Sequence, residues 1–303
     1  TVQKTLNLKD IRRLPIPLPD RASIRGITDL AELFAGRITL LRETNATLEA
    51  IAQTLFKSWF VDFDPVRAKM EGRTPEGMDE ATAALFPDSF EPSELGEIPS
   101  GWRALGLQDA YDINPSRSLK KGTLAPYLGM ASIYTSGHCV SDVVLREMGS
   151  GTKFVNGDTL LARITPCLEN GKTAFVDFLQ VDQTGWGSTE FIVLRPKDPL
   201  TPYHGYLLAR HSAFREFAIQ SMSGTSGRQR VQTNMLGSYL IAVPTEQVAK
   251  LFGDISSEVQ KNIAANHERA EVLMKLRDTL LPRLISGQLR LPEAEKQATE
   301  ALA

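Results

Sequence analysis

The sequence predicts an α+β protein, with one mixed α/β domain and two long coiled-coil helices. Two stretches, about 21–62 and 246–286, place apolar residues at alternating steps of three and four, the seam of a heptad helix. Between them, residues 101–245 show short apolar runs separated by Gly-rich turns, such as Phe175-Val-Asp-Phe-Leu179 and Glu190-Phe-Ile-Val-Leu-Arg195. Of the 303 residues, 42 % are hydrophobic and 23 % charged, enough to bury a sizeable core and unlike a disordered chain.

Residues 1–20 end in Leu14-Pro-Ile-Pro-Leu-Pro19, an alternation suited to an edge strand or extended exit from a globular domain. Residues 21–62 form the first long helix, with a seam of Ile27, Leu30, Phe34, Leu41, Leu48, Ile51 and Leu55 interrupted by Arg37 and Thr44. From Ile27 to Phe60 it spans roughly 50 Å at 1.5 Å per residue. Residues 63–100, with Pro65, Pro75, Pro87, Pro92, Pro99 and many acids, read as a linker with one short helix near Asp79–Leu85. Within 101–245, one helix is expected near Pro202–Ser221.

Residues 246–290 carry the second long helix, seamed by Val248, Phe252, Ile255, Val259, Leu273, Leu276 and Leu280. Asn262, Asn266 and Arg269 break this seam, and Pro282 followed by Gly287 marks its end. Leu41, Leu48, Ile51 and Leu55 are expected to pack against Val259, Leu273, Leu276 and Leu280. Polar residues at seam positions set register and partner number at some loss of stability. Residues 291–303 read as a polar tail.

The two helices and their lead-ins repeat. Asn7-Leu-Lys-Asp and Leu14-Pro-Ile-Pro17 parallel Asn234-Met-Leu-Gly and Ile241-Ala-Val-Pro244. Leu48, Ile51, Thr54, Leu55, Trp59 and Phe60 parallel Leu273, Leu276, Thr279, Leu280, Leu284 and Ile285. This is a duplicated unit, not a solenoid period. Each unit is an exit strand followed by a long helix, so residues 1–20 are expected to close a domain lying upstream. An opening of Thr1-Val-Gln-Lys-Thr, neither signal peptide nor natural start, agrees with missing upstream sequence. An ordinary helical hairpin would also give two heptad helices.

Four segments, in order, resemble the specificity subunits of Type I restriction–modification systems. Leu55-Phe-Lys-Ser-Trp-Phe-Val-Asp-Phe-Asp-Pro-Val66 is similar to their central spacer. Leu95-Gly-Glu-Ile-Pro-Ser-Gly-Trp102 is similar to the opening of a target-recognition domain. Gly157-Asp-Thr-Leu-Leu-Ala-Arg-Ile-Thr-Pro-Cys-Leu-Glu-Asn-Gly-Lys172 resembles a core segment of one class of such domains. Leu276-Arg-Asp-Thr-Leu-Leu-Pro-Arg-Leu-Ile-Ser-Gly-Gln-Leu289 resembles the C-terminal spacer.

The resemblance implies antiparallel spacer helices that act as a ruler between two recognition domains, reading a two-part site in double-stranded DNA. It implies modification (methyltransferase) subunits docked on the helices, with restriction subunits joining them. The chain departs from the pattern in lacking most of the first recognition domain. It is then a fragment, or a half-subunit that pairs with itself. A 50 Å rod exceeds the roughly 34 Å of one DNA turn, a spacing no flexible linker holds.

The net charge is −2, so any nucleic-acid contact must be a local patch. Residues 101–245 hold 14 Lys/Arg against 11 Asp/Glu. Residues 221–236 contain no acid and present Ser226, Arg228, Gln229, Arg230, Gln232 and Asn234 beside Gly224 and Gly227. Arg reads guanine bidentately, Gln and Asn read adenine, and Gly lets the backbone approach a phosphate. A polar turn leading into a strand would look the same. A second loop offers Arg163, Thr165, Asn170 and Lys172, with Asn170-Gly171 as a tight-turn signal; a plain hairpin is its alternative. Lys120 and Lys121 are candidate phosphate contacts. Tyr127 and Tyr134 suit core roles better than base stacking.

No catalytic centre, cofactor or metal is expected. No Gly-rich loop has nucleotide-site spacing, and His138, His204, His211 and His267 lack metal spacing. Asn114-Pro-Ser only faintly echoes a methyltransferase motif, and no Gly-x-Ser-x-Gly occurs. Cys139 and Cys167 read as reduced thiols of a cytoplasmic protein. Competing readings are a stand-alone DNA methyltransferase or nuclease, and a coiled-coil adaptor without a DNA role.

Overall fold

The structure, a computed structural model, describes residues 7–15, 18–225 and 227–302. Short α1 (Leu8–Ile11) precedes the long α2 (Arg21–Phe60), then α3 (Asp64–Met70) and α4 (Glu80–Ala84). Strands β1 (Phe90–Ser93), β2 (Gly96–Pro99) and β3 (Arg103–Gly106) lead to α5 (Leu107–Ala110) and β4 (Tyr111–Ile113). There follow β5 (Leu124–Leu128), β6 (Val144–Glu147), β7 (Thr152–Phe154), β8 (Thr159–Ala162), β9 (Thr173–Phe175), β10 (Gly185–Gly187) and β11 (Phe191–Pro196). Next come α6 (Pro202–Arg210), α7 (Ser212–Gln220), β12 (Met222–Ser223), β13 (Arg230–Val231), α8 (Thr233–Gly237) and β14 (Leu240–Val243). The long α9 (Glu246–Ile285) and α10 (Leu291–Leu302) finish the chain. Contacts divide it into two units, one of residues 1–44 and 265–303, the other of 45–264.

The first unit is helical. Asp20 starts α2, its carboxylate accepting from the backbone N–H of Ala22 at 2.9 Å and Ser23 at 3.0 Å. The Ser23 bonds, backbone then side chain, hold the Asp20 carboxyl below its ordinary value. Leu30, Phe34, Ile38 and Leu41 bury their side chains with Ala270, Leu273, Leu280 and Leu284. Arg42 Nη2 lies 3.1 Å from Met274 Sδ, and Gly26 lies beside Leu291, so the paired segments run antiparallel.

Leu30, Phe34, Leu41, Leu273 and Leu280 are buried as read from the sequence, but one row of the α2 seam lies a residue further on: Ile38 is buried and Asn45 half-buried, whereas Arg37 and Thr44 are exposed and interrupt nothing. Pro282 lies within the last turn of α9, which ends at Ile285, one residue before the expected 286. The end is set by Gly287 at φ 75°, with Leu289 N–H donating to Arg283 O at 3.0 Å, a left-handed glycine cap. Nor is the C-terminal stretch a structureless tail. Ala294 and Ala298, one helical turn apart, give α10 a narrow buried stripe.

The first described residues likewise differ from an exit strand, since Leu8–Ile11 is helical. Residues 1–6, 16 and 17 lie outside the described residues.

In the second unit the remaining halves of α2 and α9 again run antiparallel. Asn45 Nδ2 donates to Ile263 O at 3.0 Å, and Phe60 meets Phe252 with ring centroids 4.6 Å apart. Ala52, Phe56 and Trp59 are buried, Leu48 and Leu55 partly so, and Ile51 is 52 % exposed. On α9, Ser256 is buried, Val259 is partly buried, and Ile255 is exposed. The expected seam residues Ile51 and Ile255 therefore face outward, and their neighbours Ala52 and Ser256 take the buried positions.

Residues 63–100 are ordered structure rather than a plain linker. Phe63 takes a left-handed conformation (φ 55°, ψ 37°) that turns the chain sharply from α2 into α3, with Pro65 in its first turn. Phe63, Val66, Phe86 and Ile98 join the core. Trp59 meets Phe86 edge-on at 4.9 Å. The aromatic-rich segment after Leu55 is thus a lock that fastens helix to domain.

Two four-stranded sheets follow. One has the order β4-β11-β8-β9 and is antiparallel throughout; the other is β6-β5-β10-β7, with β5 and β10 parallel. Strands β3 and β14 pair antiparallel, Arg103 opposite Val243, so the domain's entry and exit lie side by side. The helix expected over Pro202–Ser221 is two, broken where His211 is extended (φ −65°, ψ 135°).

Candidate nucleic-acid interface

The two polar segments singled out in the sequence lie side by side. Strands β12 and β13 form a small hairpin, Met222 opposite Val231 and Ser223 opposite Arg230, with residues 224–229 as its tip. Ile164 bridges to Arg230. Thr165 N–H donates to Gln229 O, and Gln229 N–H donates to Thr165 Oγ1, both at 3.1 Å. Loop 163–172 and the hairpin are therefore one hydrogen-bonded surface. Gly224 (φ 127°) and Gly227 (φ 77°) give the tip its left-handed turns.

Loop 163–172 closes the antiparallel β8–β9 hairpin, Ala162 N–H donating to Lys172 O at 3.1 Å, but as a long loop and not as a two-residue Asn-Gly turn. Leu168 N–H donates to Ile164 O at 3.1 Å and Asn170 N–H to Pro166 O at 2.9 Å, the pattern of one helical turn. Gly171 (φ 77°) ends it, as a glycine ends a longer helix. A Cβ there would meet Arg210 Nη1 at 3.1 Å.

Many candidate donors are already engaged within the protein. Arg230 pairs bidentately with Glu190, Nε to Oε2 at 2.9 Å and Nη2 to Oε1 at 2.7 Å. The Arg230 hydrogen bonds hold the Glu190 carboxyl below its ordinary value against a smaller opposing effect of burial. Lys172 Nζ donates to Met130 O at 2.8 Å. Gln232 Nε2 donates to Ser223 Oγ at 2.6 Å, and Arg163 Nη2 reaches Val231 O at 3.3 Å. Thr165 is buried. Arg228, Asn170 and Asn234 are exposed, and Gln229 is half-buried. Ser226 lies outside the described residues. Lys120 and Lys121 are exposed in the turn before β5, on a different sheet edge from loop 163–172.

Three bracing residues escaped the sequence reading. Arg210 Nη1 donates to Gly171 O at 2.7 Å and Thr135 O at 3.0 Å, and its Nε lies 3.5 Å from Glu49 of α2. Arg215 Nη2 donates to Glu169 O at 3.0 Å. Glu49 also accepts from Tyr206 Oη at 2.5 Å. Loop 163–172 is thereby tied through Arg210 to the second unit's part of α2. On the other side, Gln260 of α9 donates to Asp177, which sits 3.2 Å from buried His138. Tyr203 Oη lies 3.0 Å from the other His138 ring nitrogen. No sequence pattern marks such long-range pairs.

His204 is buried with Tyr111 Oη 2.5 Å from its Nδ1, and desolvation pushes its pKa down to about 3. Burial pushes the Cys139 thiol up, with Asp177 and Glu49 adding to it. Cys139 and Cys167 are free thiols. Among the described residues there is no group of three or more His, Cys, Asp or Glu side chains placed to hold a metal ion.

No family model matches the chain. It is 24 % identical over 332 residues to the Type I restriction enzyme HindI specificity subunit of Haemophilus influenzae, covering 94 % of this chain and 71 % of that one. To the Type I restriction enzyme MjaIX specificity subunit of Methanocaldococcus jannaschii it is 22 % identical, covering 93 % and 62 %. A 168-residue stretch is 30 % identical to the Type I restriction enzyme EcoEI specificity subunit of Escherichia coli, covering 53 % and 28 %. The Type I restriction-modification S subunit of M. genitalium superposes with a TM-score of 0.48 at 15 % identity, over 88 % of this chain and 61 % of that one. The chain thus spans about two thirds of the two relatives that it matches along nearly its full length.

Each of the two units pairs a part of α2 with a part of α9, and the second also holds the mixed-sheet domain. Along nearly its full length the chain is similar to Type I restriction enzyme specificity subunits.

Proposed function

We propose that this chain reads DNA sequence for a Type I restriction–modification complex and contributes no catalytic group itself. Methylation and cleavage then belong to partner modification and restriction subunits. The observation that carries the reading is the hydrogen-bonded union of loop 163–172 with the 222–231 hairpin, supported by similarity to specificity subunits along the chain. Arg228 is the direct contact, since it is exposed and its side chain makes no hydrogen bond or ion pair among the described residues, with exposed Asn170 and Asn234 on the same two segments. Arg230, Lys172, Gln232, Thr165 and Arg163 hold the surface in shape.

The paired helices set the distance between this domain and a second reading domain on a two-part site. That domain would come from sequence upstream of this chain or from a second copy paired through the helices. Among the described residues no helix is long and apolar enough to cross a membrane, and a cytoplasmic location follows from the proposed work on DNA.

The test is methylation by a complex of this chain with its modification subunit, read as the set of methylated sites. Arg228→Ala is expected to relax preference at one base position, a discrimination loss of about 1–3 kcal/mol. An unchanged site set would remove Arg228 from the reading surface. Methylation or cleavage of DNA by the purified chain alone would replace the proposal with the enzyme reading.

A further inference from the structure

The face of the β6-β5-β10-β7 sheet opposite Phe154 and Leu128 holds a small buried cluster of Ala125, Met148 and Trp186, rimmed by cations that the reading loops do not use. Phe154 and Leu128 bury the inward face. On the other face, Tyr127 of β5 and Lys153 of β7 both stand opposite Trp186 of β10. The two rings pack edge to face at 4.6 Å. Arg146 of β6 lays its guanidinium over this pair, 4.9 Å from the Tyr127 centroid and 5.8 Å from that of Trp186. Trp186 Nε1 returns a hydrogen bond to Arg146 O at 3.3 Å.

Two cations therefore flank one aromatic pair in a row across the strands. Arg146 is exposed and Lys153 half-buried. The adjoining turn adds exposed Lys120 and Lys121, held to this sheet where Gly122 N–H donates to Met148 O at 2.7 Å. Glu147, the acid nearest in sequence, alternates to the opposite face of β6. Two other arginines of the domain are neutralised: Arg117 and Arg195 close on buried Asp158 at 2.9 and 3.3 Å.

A guanidinium stacked on rings has surrendered its freedom before any ligand arrives, yet its N–H edge still points outward. Such a group suits a phosphate oxygen, and lysines on either side suit successive phosphates of a regular backbone. We propose that this face, through Arg146, Lys153, Lys120 and Lys121, grips the sugar–phosphate backbone of double-stranded DNA. It supplies affinity that is indifferent to sequence, while the loops supply discrimination. The inference rests on the DNA-reading role and extends it to a second, separate contact.

The test is binding of the full chain to a 30-base-pair duplex of arbitrary sequence, titrated from low to moderate salt. Arg146→Gln with Lys153→Gln is expected to flatten the slope of log affinity against log salt by about 2, and to weaken low-salt binding about tenfold. Lys153→Gln alone leaves the rings and their arginine in place, and should flatten the slope by about 1. Trp186 emission reports whether the sheet stays folded. Wild-type slope and affinity in Lys153→Gln, or in a folded double variant, would overturn the backbone grip while leaving the reading role intact. Failure of the wild-type chain to bind any duplex at low salt would overturn both.

Discussion

If Arg230 is a strut rather than a reader, then removing Glu190 should do the same damage as removing Arg230. The pair is bidentate, with side chains 43 % and 24 % exposed, so solvent screens it substantially. An exposed pair contributes little to stability even with two-pronged geometry, because water screens it and both side chains lose freedom. Thermal unfolding of Arg230→Ala should therefore shift by only a few degrees. Discrimination should suffer more, because Arg230 carries the bridge to Ile164 and follows Gln229, which bonds Thr165.

A double-mutant cycle over Glu190→Ala and Arg230→Ala, read as the ratio of target to non-target binding, decides the matter. The account expects each single variant to lose discrimination alike, and the double to lose no more than either. The Glu190 carboxyl is held below its ordinary value in the folded chain. The pair's contribution is thus fully present above the ordinary carboxylate range, and is lost as pH falls through the lowered value. If Glu190→Ala left discrimination intact or tightened binding while Arg230→Ala abolished it, Arg230 would be touching DNA itself, and the strut would be refuted.

Three further outcomes follow from packing. Gly151→Ala should destabilise by about 1–3 kcal/mol, because its Cβ would fall 2.0 Å from the Gly187 carbonyl, whereas Gly149→Ala, with open space, should be near neutral in urea titration. Ile38→Lys should disrupt the helix pairing, since that side chain is 3 % exposed, whereas Ile51→Lys at 52 % should be tolerated; circular dichroism melts would show the seam misplaced if the order were reversed. His204 has a folded pKa near 3, below its unfolded value, so its contribution is fully present at neutral pH. It should wane as pH falls below about 6.5, where the unfolded state binds the proton first; an NMR titration finding His204 charged at pH 5 in the folded chain would contradict this.

Much of the fold was legible because periodicity is a local property. The two helices and the α/β domain follow from spacing, and the antiparallel pairing from the family resemblance. Leu30, Phe34, Leu41, Leu273 and Leu280 were legible as seam residues, but the row through Ile51 and Ile255 was not. Leu33, Leu40, Ile51 and Ile255 are apolar yet exposed, while Asn45, Ala52, Ser256 and Ala270 lie on the inward side. A reading that weighs residues by hydrophobicity alone is drawn one position aside.

The two polar loops were visible as acid-poor, glycine-flanked segments. Their partners were not visible, because the groups that occupy them come from 40 or more residues away, as with Arg230 and Glu190 or Lys172 and Met130. The aromatic run from Phe56 to Phe60 was visible as a motif, but its work as a lock on Phe252 and Phe86 needed coordinates.

The central claim is that residues 163–172 and 224–231 act as one surface on DNA. Hydrogen exchange of the full complex, with and without a duplex carrying its methylation site, measures this directly. The account predicts slowed exchange in both segments together, the Thr165 and Gln229 amides among them. Protection of neither segment, or of one while the other exchanges as in the free complex, would contradict it.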